Sequence, residues 1–168
     1  KLKDISFNRV SWGKKYEIYN NNIPSIIYSN EFFDCFPVRQ FYKKEKWIEK
    51  FIKYNNADNL FSFASDEVFD REILENLEQF SEMKVAEISI SRKIYFDKIC
   101  KFIRENKGVF ITIDYGYKKP PDHLTLQTIY NHKKTHLFEN IGNQDITAHV
   151  NFDELIKIAN NNNLNVEI

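Results

Sequence analysis

The sequence has little glycine, little cysteine and no excess of either charge. Its 168 residues include four glycines and two cysteines, and its 24 Lys and Arg residues equal its 24 Asp and Glu residues. A chain without net charge has no overall field that attracts nucleic acid, so no nucleic-acid partner is predicted. Cys35 and Cys100 lie in apolar segments. They predict reduced core side chains in a cytosol-like compartment, not a disulfide framework.

Long hydrophobic runs are absent as well. No apolar stretch approaches the roughly 20 residues that a membrane-spanning helix requires, and the chain does not open on a signal-peptide pattern. Neither membrane insertion nor export is therefore predicted. With 42% hydrophobic and 29% charged residues, the composition is that of one soluble globular domain with a sizeable core.

The few glycines are also dispersed along the chain. They stand at positions 13, 108, 116 and 142, and no G-x-G occurs in the sequence. Loops that cradle a nucleotide-like cofactor need clustered glycines, because the backbone must approach the ligand closely. The sequence therefore contains no recognisable cofactor loop.

Strand-like and helix-like hydrophobic patterns follow one another along the chain. Strands are predicted at residues 5–7, 24–28, 38–42, 47–54, 60–63, 85–90, 109–113 and 164–168, and helices over 66–80, from Ser91 to about 107 and, after a capping box at Asn151 and Glu154, through 159. This order predicts an α/β fold with a mostly parallel sheet. Residues 38–64 are predicted to form an antiparallel hairpin or meander inserted into a single domain, 1–168.

Acidic and amide side chains follow two strands that are predicted to be buried. Asn30 and Glu31 come after residues 24–28, and Asp114 comes after residues 109–113. Ligands of open α/β sheets bind beyond the carboxyl ends of the strands, and neighbouring strands would bring these acids to one edge. Paired carboxylates there favour a cationic ligand, above all a guanidinium group. The alternative is that the acids only begin loops or cap helices, as Asp and Asn often do.

Four ordered motifs resemble one known family. Residues 29–41 read SNEFFDCFPVRQF, residues 113–117 read IDYGY, residues 125–127 read TLQ with His132 downstream, and residues 145–152 read DITAHVNF. These blocks resemble NEFFDALPVRQF, IDYGY, DTLQA…H and DLTAHVDF of the MidA-like SAM-dependent methyltransferases, which include an assembly factor of mitochondrial respiratory complex I. The resemblance extends over nearly the whole chain.

The resemblance implies a Rossmann-like class I methyltransferase that transfers a methyl group from S-adenosylmethionine to an arginine of a complex I subunit. It implies catalytic positions at Glu31, Asn30 and Asp34: Glu31 would hold the guanidinium, Asn30 would orient it, and Asp34 would assist or fix the turn. The protein substrate would be bound by Asp114, Tyr115 and His132.

This sequence departs from the family at the cofactor site. Such enzymes carry a glycine-rich loop after their first strand, and the matching region begins later than that strand. The chain is therefore predicted to be the middle and C-terminal part of an incomplete methyltransferase sheet, with no cofactor-binding residues of its own. A missing N-terminal half or a homodimer is the expected partner, in the bacterial cytoplasm or the mitochondrial matrix. The alternative is an inactive remnant that binds proteins.

Histidines offer a weaker metal-site hypothesis. His132 and His136 are four residues apart and would face the same way on a helix, but the sequence suggests no third ligand. No metal site is predicted. The aromatic residues of the first motif, Phe32, Phe33, Phe36 and Phe41, are predicted to belong to the core.

Overall fold

The computed structural model describes residues 24–168. The strand predicted at residues 5–7 lies outside this range. The strands of the described range are β1 Ile26–Asn30, β2 Arg39–Lys43, β3 Trp47–Asn55, β4 Leu60–Glu67, β5 Val85–Ile88, β6 Val109–Ile113, β7 Gly116–Tyr117, β8 Gln127–Tyr130, β9 Lys133–Lys134, β10 Asp145–Thr147 and β11 Val150–Asn151. The helices are α1 Arg71–Leu77, extended by a 3₁₀ turn Glu78–Phe80, α2 Ile90–Asn106 and α3 Phe152–Asn161.

A parallel strand pair forms the centre of the first core. β1 lies parallel to β6, with Ile26 opposite Val109 and Asn30 opposite Ile113. Alternate side chains of the two strands, such as Ile27 and Phe110, pack against a core supplied largely by α2 and α3. The core residues are Phe33, Phe96, Ile99, Cys100, Phe102, Ile103, Val150, Leu155 and Ala159. The predicted core position of the motif aromatics is confirmed, since Phe33 and Phe41 are fully buried and Phe32 and Phe36 pack against this core.

The opposite face of the β1–β6 pair is open. Five apolar side chains on this face are 46–78% exposed: Ile26, Tyr28, Val109, Ile111 and Ile113. The sequence predicts both strands to be buried, and this is wrong for the open face. Within residues 24–168, α2 and α3 cover one side of the pair, so the alternate side chains remain in solvent.

A four-stranded antiparallel sheet with strand order β4-β3-β2-β5 forms the second unit. The predicted hairpin and the strand after it are confirmed, but β4 continues to Glu67. The predicted helix over 66–80 accordingly begins only at Arg71, where the Asp70 carboxylate caps it. Helix α1 packs against β2 and β5 and forms a second core with them. The core residues are Phe41, Val68, Ile73, Leu77, Phe80, Ala86 and Ile88.

Antiparallel pairing predominates over parallel pairing in the described residues. Five of the seven strand pairings are antiparallel, and the parallel ones are β1–β6 and β7–β11. The prediction of a mostly parallel sheet is therefore wrong for this part of the chain. One contributor is β5, which pairs antiparallel with β2, with Ile88 opposite Arg39.

The helix ends depend on individual side chains. Ser89, not the predicted Ser91, caps α2 by accepting the N–H of Arg92, and Lys107 ends this helix in the left-handed conformation (φ 52°). Asn151 caps α3 as predicted, by accepting the N–H of Glu154. The Glu154 carboxylate pairs with Lys93 Nζ at 2.7 Å. The strand predicted at 164–168 is absent from the structure, in which these residues are irregular.

The two cysteines have different environments. Cys100 is 2% exposed and belongs to the first core, as predicted. Cys35 is exposed, so its predicted core position is wrong: it lies in the turn after β1, where its Sγ donates to the Phe32 carbonyl. No helix of residues 24–168 has both the length and the apolar character needed to cross a membrane.

Candidate active site

The loops after β1 and β6 meet at one edge of the parallel pair. The Glu31 N–H donates to the Ile113 carbonyl at 2.9 Å. The Tyr115 hydroxyl donates to Glu31 Oε1 at 3.1 Å, and the Asp114 carboxylate contacts the backbone of the residues after Glu31. The predicted convergence of Glu31 and Asp114 is therefore confirmed, because parallel neighbours end at the same edge of a sheet.

Asp114 determines the shape of the first loop. Its Oδ2 accepts the N–H groups of Phe32 at 3.1 Å and Phe33 at 2.8 Å, and its Oδ1 accepts the N–H of Tyr115 at 2.9 Å. Both carboxylate oxygens thus bind main-chain donors. Charge-assisted bonds of this kind are among the stronger hydrogen bonds in proteins. Asp114 holds the loop in place, and its predicted contact with a substrate stays a prediction.

Glu31 combines an unusual backbone with an exposed side chain. Its φ is 47°, in the left-handed region that costs a residue with a Cβ atom about 1 kcal/mol. Such conformations persist where neighbouring contacts enforce them, and they concentrate at functional sites. Here the enforcing contacts are the backbone bond to Ile113 and the side-chain bond to Tyr115. The bond to Glu31 also raises the pKa of Tyr115, so the phenol remains a donor.

Asn30 precedes Glu31 in the chain, and Asp34 follows it three residues later. Asn30 is the exposed last residue of β1, and Asp34 is buried, with its carbonyl accepting the N–H of Ala148 at 2.9 Å. Burial raises the pKa of Asp34, and the nearby charges of Asp114 and Glu31 raise it further. Asp34 therefore experiences the negative charges of Glu31 and Asp114, and a cation bound near these groups would be stabilised.

Arg92 links the two loops that carry the first and last motifs. This α2 residue is 3% exposed, and its guanidinium donates to the carbonyls of Phe33 at 2.9 Å, His149 at 3.2 Å and Ala148 at 3.4 Å. Burial lowers the pKa of Arg92. Our sequence reasoning missed this residue. The available signal was its helical spacing, since Arg92 lies four residues before buried Phe96 and seven before buried Ile99.

Glu87 on β5 fixes the third motif. Its Oε2 accepts both the N–H and the hydroxyl of Thr125, and its Oε1 accepts the Leu126 N–H at 3.1 Å and the Gln40 amide at 2.8 Å. The Thr125 hydroxyl oxygen in turn accepts the N–H of His149 at 2.9 Å. Thr125 of the third motif therefore holds the backbone of His149, whose carbonyl also accepts a hydrogen bond from Arg92.

His132 lies on the surface, and its predicted contact with the substrate stays a prediction. It is exposed in the turn between β8 and β9, with a φ of 61°. In residues 24–168 no hydrogen bond joins it to the loop of Glu31. His136 packs against Phe63 and Phe138 instead. The described residues contain no cluster of three His, Cys, Asp or Glu side chains suited to a metal ion.

Comparisons with known proteins agree on one family. The model of the family described as "Putative S-adenosyl-L-methionine-dependent methyltransferase" matches residues 1–168. The protein arginine methyltransferase NDUFAF7 homologue of Caenorhabditis elegans, a mitochondrial protein, is 24% identical over 135 residues, which is 78% of this chain and 32% of that protein.

Two solved structures share the fold. Both are COG1565 superfamily proteins of Burkholderia thailandensis, one bound to S-adenosyl-homocysteine, and both give a TM-score of 0.69 over 83% of this chain. Their identities are 24% and 22%, and the chain covers 38% and 39% of their lengths. The chain thus has the mixed sheets and helices of these proteins, and it spans about a third of the length of the curated relative.

Proposed function

Because the chain belongs to this family of S-adenosyl-L-methionine-dependent methyltransferases, we propose that it is the substrate-receiving part of a protein arginine methyltransferase. The observation that carries the proposal is the meeting of Glu31, Asp34 and Asp114 at the ends of two parallel strands. A guanidinium group fits such a site, since it is planar, cationic and able to bind a carboxylate through two parallel hydrogen bonds.

Each residue has a separate task in this proposal. The exposed Glu31 carboxylate binds the guanidinium, and Tyr115 holds that carboxylate in place through its 3.1 Å hydrogen bond. Asn30 supplies a neutral amide that orients the substrate nitrogen, while Asp114 fixes the loop. Asp34 adds negative potential from a buried position and ties the loop to Ala148. The main contributions are therefore orientation and electrostatics.

We propose that the cofactor, which supplies the methyl group, is not held by this chain alone. The four glycines are far apart in the sequence and no G-x-G occurs, so the sequence offers no clustered glycines for a backbone cradle. The open face of β1 and β6, with five exposed apolar side chains, favours burial against further polypeptide. We place the cofactor site in an N-terminal half that completes the Rossmann-like sheet and covers this face.

The names and motifs of the relatives support a proposal for the substrate. The worm protein is named a mitochondrial protein arginine methyltransferase, and the four sequence motifs resemble those of a complex I assembly factor. We therefore propose an arginine of a complex I subunit as the target, in the mitochondrial matrix or the bacterial cytoplasm. His132, exposed on the β8–β9 turn, would contact the substrate protein.

The test is Glu31→Gln in a complete enzyme that contains this chain, with Glu105→Gln as the matched control on the exposed side of α2. Hydrogen bonds to a charged group contribute about 1.5–3 kcal/mol, so arginine methylation should fall roughly 10-fold to 150-fold in Glu31→Gln. Transfer of a radiolabelled methyl group to an arginine peptide measures this loss. Unchanged transfer in Glu31→Gln would refute the role of Glu31.

A second candidate function is protein binding without catalysis, which the exposed apolar surfaces favour. Calorimetry with S-adenosylmethionine tests the location of the cofactor site. No measurable binding to this chain, together with tight binding to the complete protein, would support a two-part enzyme. Tight binding to the chain alone would contradict it, and no binding to either protein would favour the binding module.

A further inference from the structure

Residues 148–150 of the last motif connect the two loops of the candidate site, and we refer to them as the bridging segment. The Ala148 N–H donates to the carbonyl of Asp34, in the loop after β1, at 2.9 Å. The Val150 N–H donates to the carbonyl of Tyr115, in the loop after β6, at 2.8 Å. The segment therefore joins both loops through its own backbone.

The N–H group between these two contacts binds a side chain. The His149 N–H donates to the hydroxyl oxygen of Thr125 at 2.9 Å, and Thr125 is only 7% exposed. The same hydroxyl donates to the Glu87 carboxylate. A hydroxyl can donate and accept at once, whereas a carboxylate only accepts and an N–H only donates. Thr125 thus links Glu87 to the middle of the bridging segment.

The carbonyl groups of the bridging segment are bound as well. Arg92 donates to the carbonyls of His149 at 3.2 Å and Ala148 at 3.4 Å. Its Nε donates to the Phe33 carbonyl at 2.9 Å. The position of the bridging segment therefore determines how the Arg92 guanidinium and both loops lie relative to one another, and Thr125 holds that segment in the middle.

We propose that Thr125 is a positioning residue for the guanidinium site, because its hydroxyl holds the bridging segment that sets the separation of the two loops. This inference rests on the proposed arginine methyltransferase function. The effect reaches Glu31 through Tyr115, whose carbonyl binds the bridging segment and whose hydroxyl binds the Glu31 carboxylate at 3.1 Å. A misplacement of about 1 Å at a reacting group can lower a rate roughly 100-fold.

Thr125→Val in a complete enzyme that contains this chain tests the proposal. Valine has nearly the shape of threonine but can neither donate to Glu87 nor accept from His149. We expect kcat/KM for an arginine peptide to fall roughly 10-fold to 100-fold, while the affinity for S-adenosylmethionine measured by calorimetry is unchanged. Thr125→Ser keeps the hydroxyl and should restore most of the activity.

Thr128→Val is the matched control. Thr128 is 4% exposed, and its hydroxyl donates to the Thr135 carbonyl at 2.6 Å, within the β10-β8-β9 sheet. This variant also removes a buried hydroxyl, so its stability should fall by a similar amount, but kcat/KM should stay at the wild-type value. Thermal denaturation followed by circular dichroism verifies that both valine variants are folded at the assay temperature.

Hydrogen exchange of the same enzymes adds a readout that does not depend on activity. Exchange in a peptide spanning residues 29–36, measured by mass spectrometry, should be faster in Thr125→Val than in the wild type or Thr128→Val. Unchanged exchange would overturn the link between Thr125 and the loop. Faster exchange with wild-type kcat/KM would overturn the positioning role.

Two further outcomes remain decisive. If Thr125→Val does not fold, Glu87→Gln replaces it, because a single amide oxygen cannot accept the donors of Thr125, Leu126 and Gln40 that the two carboxylate oxygens accept. Glu87→Gln should then show the same loss of kcat/KM and the same faster exchange, and wild-type values would overturn the proposal. A complete wild-type enzyme without arginine methylation would refute the proposed function, and hydrogen exchange would still decide whether Thr125 holds the loop.

Discussion

Replacing Arg92 by methionine tests how the motif loops are held together. Methionine is apolar and of comparable reach, so Arg92→Met removes three donors without leaving a large cavity. The carbonyls of Phe33, His149 and Ala148 would each lose the guanidinium, at 2.9, 3.2 and 3.4 Å. Only the first of these bonds is short. The Phe33 carbonyl also accepts the Phe36 N–H, but at 3.4 Å.

The expected loss combines these contributions. The short bond from a charged donor contributes about 2 kcal/mol and the two longer ones about 1 kcal/mol together, because hydrogen bonds weaken at such distances. Part of this is offset, since burial disfavours the charge, as the lowered pKa of Arg92 indicates. We expect Arg92→Met to lower the free energy of unfolding by about 2–3 kcal/mol. Arg92→Lys should lose almost as much, because one ammonium group cannot reach three carbonyls.

Urea denaturation measures this loss, with Arg104→Met as the control on the exposed side of α2. The control should change stability by less than about 0.5 kcal/mol. Native-state hydrogen exchange adds a local readout: the N–H groups of Phe33 and Ala148, bonded to Asp114 and Asp34, should exchange faster in Arg92→Met only. Equal stability of Arg92→Met and the wild type would refute the reasoning, since the carbonyls would then have found other donors.

Three other predictions concern a carboxyl group, a glycine and two thiols. Burial raises the pKa of Asp34 above 3.8, so the folded state binds the carboxyl proton more tightly than the unfolded state, and this contribution to stability is lost as pH rises through the raised pKa. Asp34→Asn should therefore leave the urea stability at neutral pH equal or greater and should flatten the pH dependence of stability above about pH 4. A clear loss of stability in Asp34→Asn at neutral pH would contradict this. Gly116→Ala should lower the free energy of unfolding by more than about 2 kcal/mol in the same assay, because the new Cβ would collide with the Val150 carbonyl and the Phe152 ring. Gly142→Ala should lower it by about 1 kcal/mol, because only the φ of 84° opposes that substitution. Equal losses in the two variants would refute the collision at Gly116. In the native protein Cys35 should react with maleimide, but slowly, because burial and the charge of Asp34 raise its pKa. Cys100, whose pKa burial raises to about 12, should react only after unfolding. Mass spectrometry distinguishes the two labelled sites, and labelling of Cys100 in the native protein would contradict its buried position in the first core.

The sequence predicted those elements whose signals lie within a few consecutive residues. The hairpin of β2 and β3 was found because two strand-like runs enclose a short polar turn, and α3 was found because Asn151 and Glu154 mark its start. The meeting of Glu31 and Asp114 was predicted by a general rule, since it requires only that two strands be parallel neighbours. Polar residues after such strands are therefore informative even without a structure.

Other features depend on partners that are distant in sequence. Nothing in residues 85–88 indicates that β5 pairs antiparallel with β2, because the strand pattern records burial and not direction. The apolar runs of β1 and β6 indicate that both faces should be buried, but not which residues cover them. His132 was assigned to the substrate site by its motif alone; it is exposed on the β8–β9 turn, and its role stays a prediction.

By itself the sequence determined the chemistry of the candidate site: which strands end in acids, which motifs accompany them, and that clustered glycines are lacking. Side-chain type and spacing are sufficient for this, because they are properties of the chain. Only the tertiary structure decided what the polar groups do. Asp114 binds the backbone, Arg92 joins two loops across the core, and Glu31 remains exposed beside Tyr115. The physical reason is that hydrogen bonding and burial depend on which groups folding brings within about 3 Å of each other.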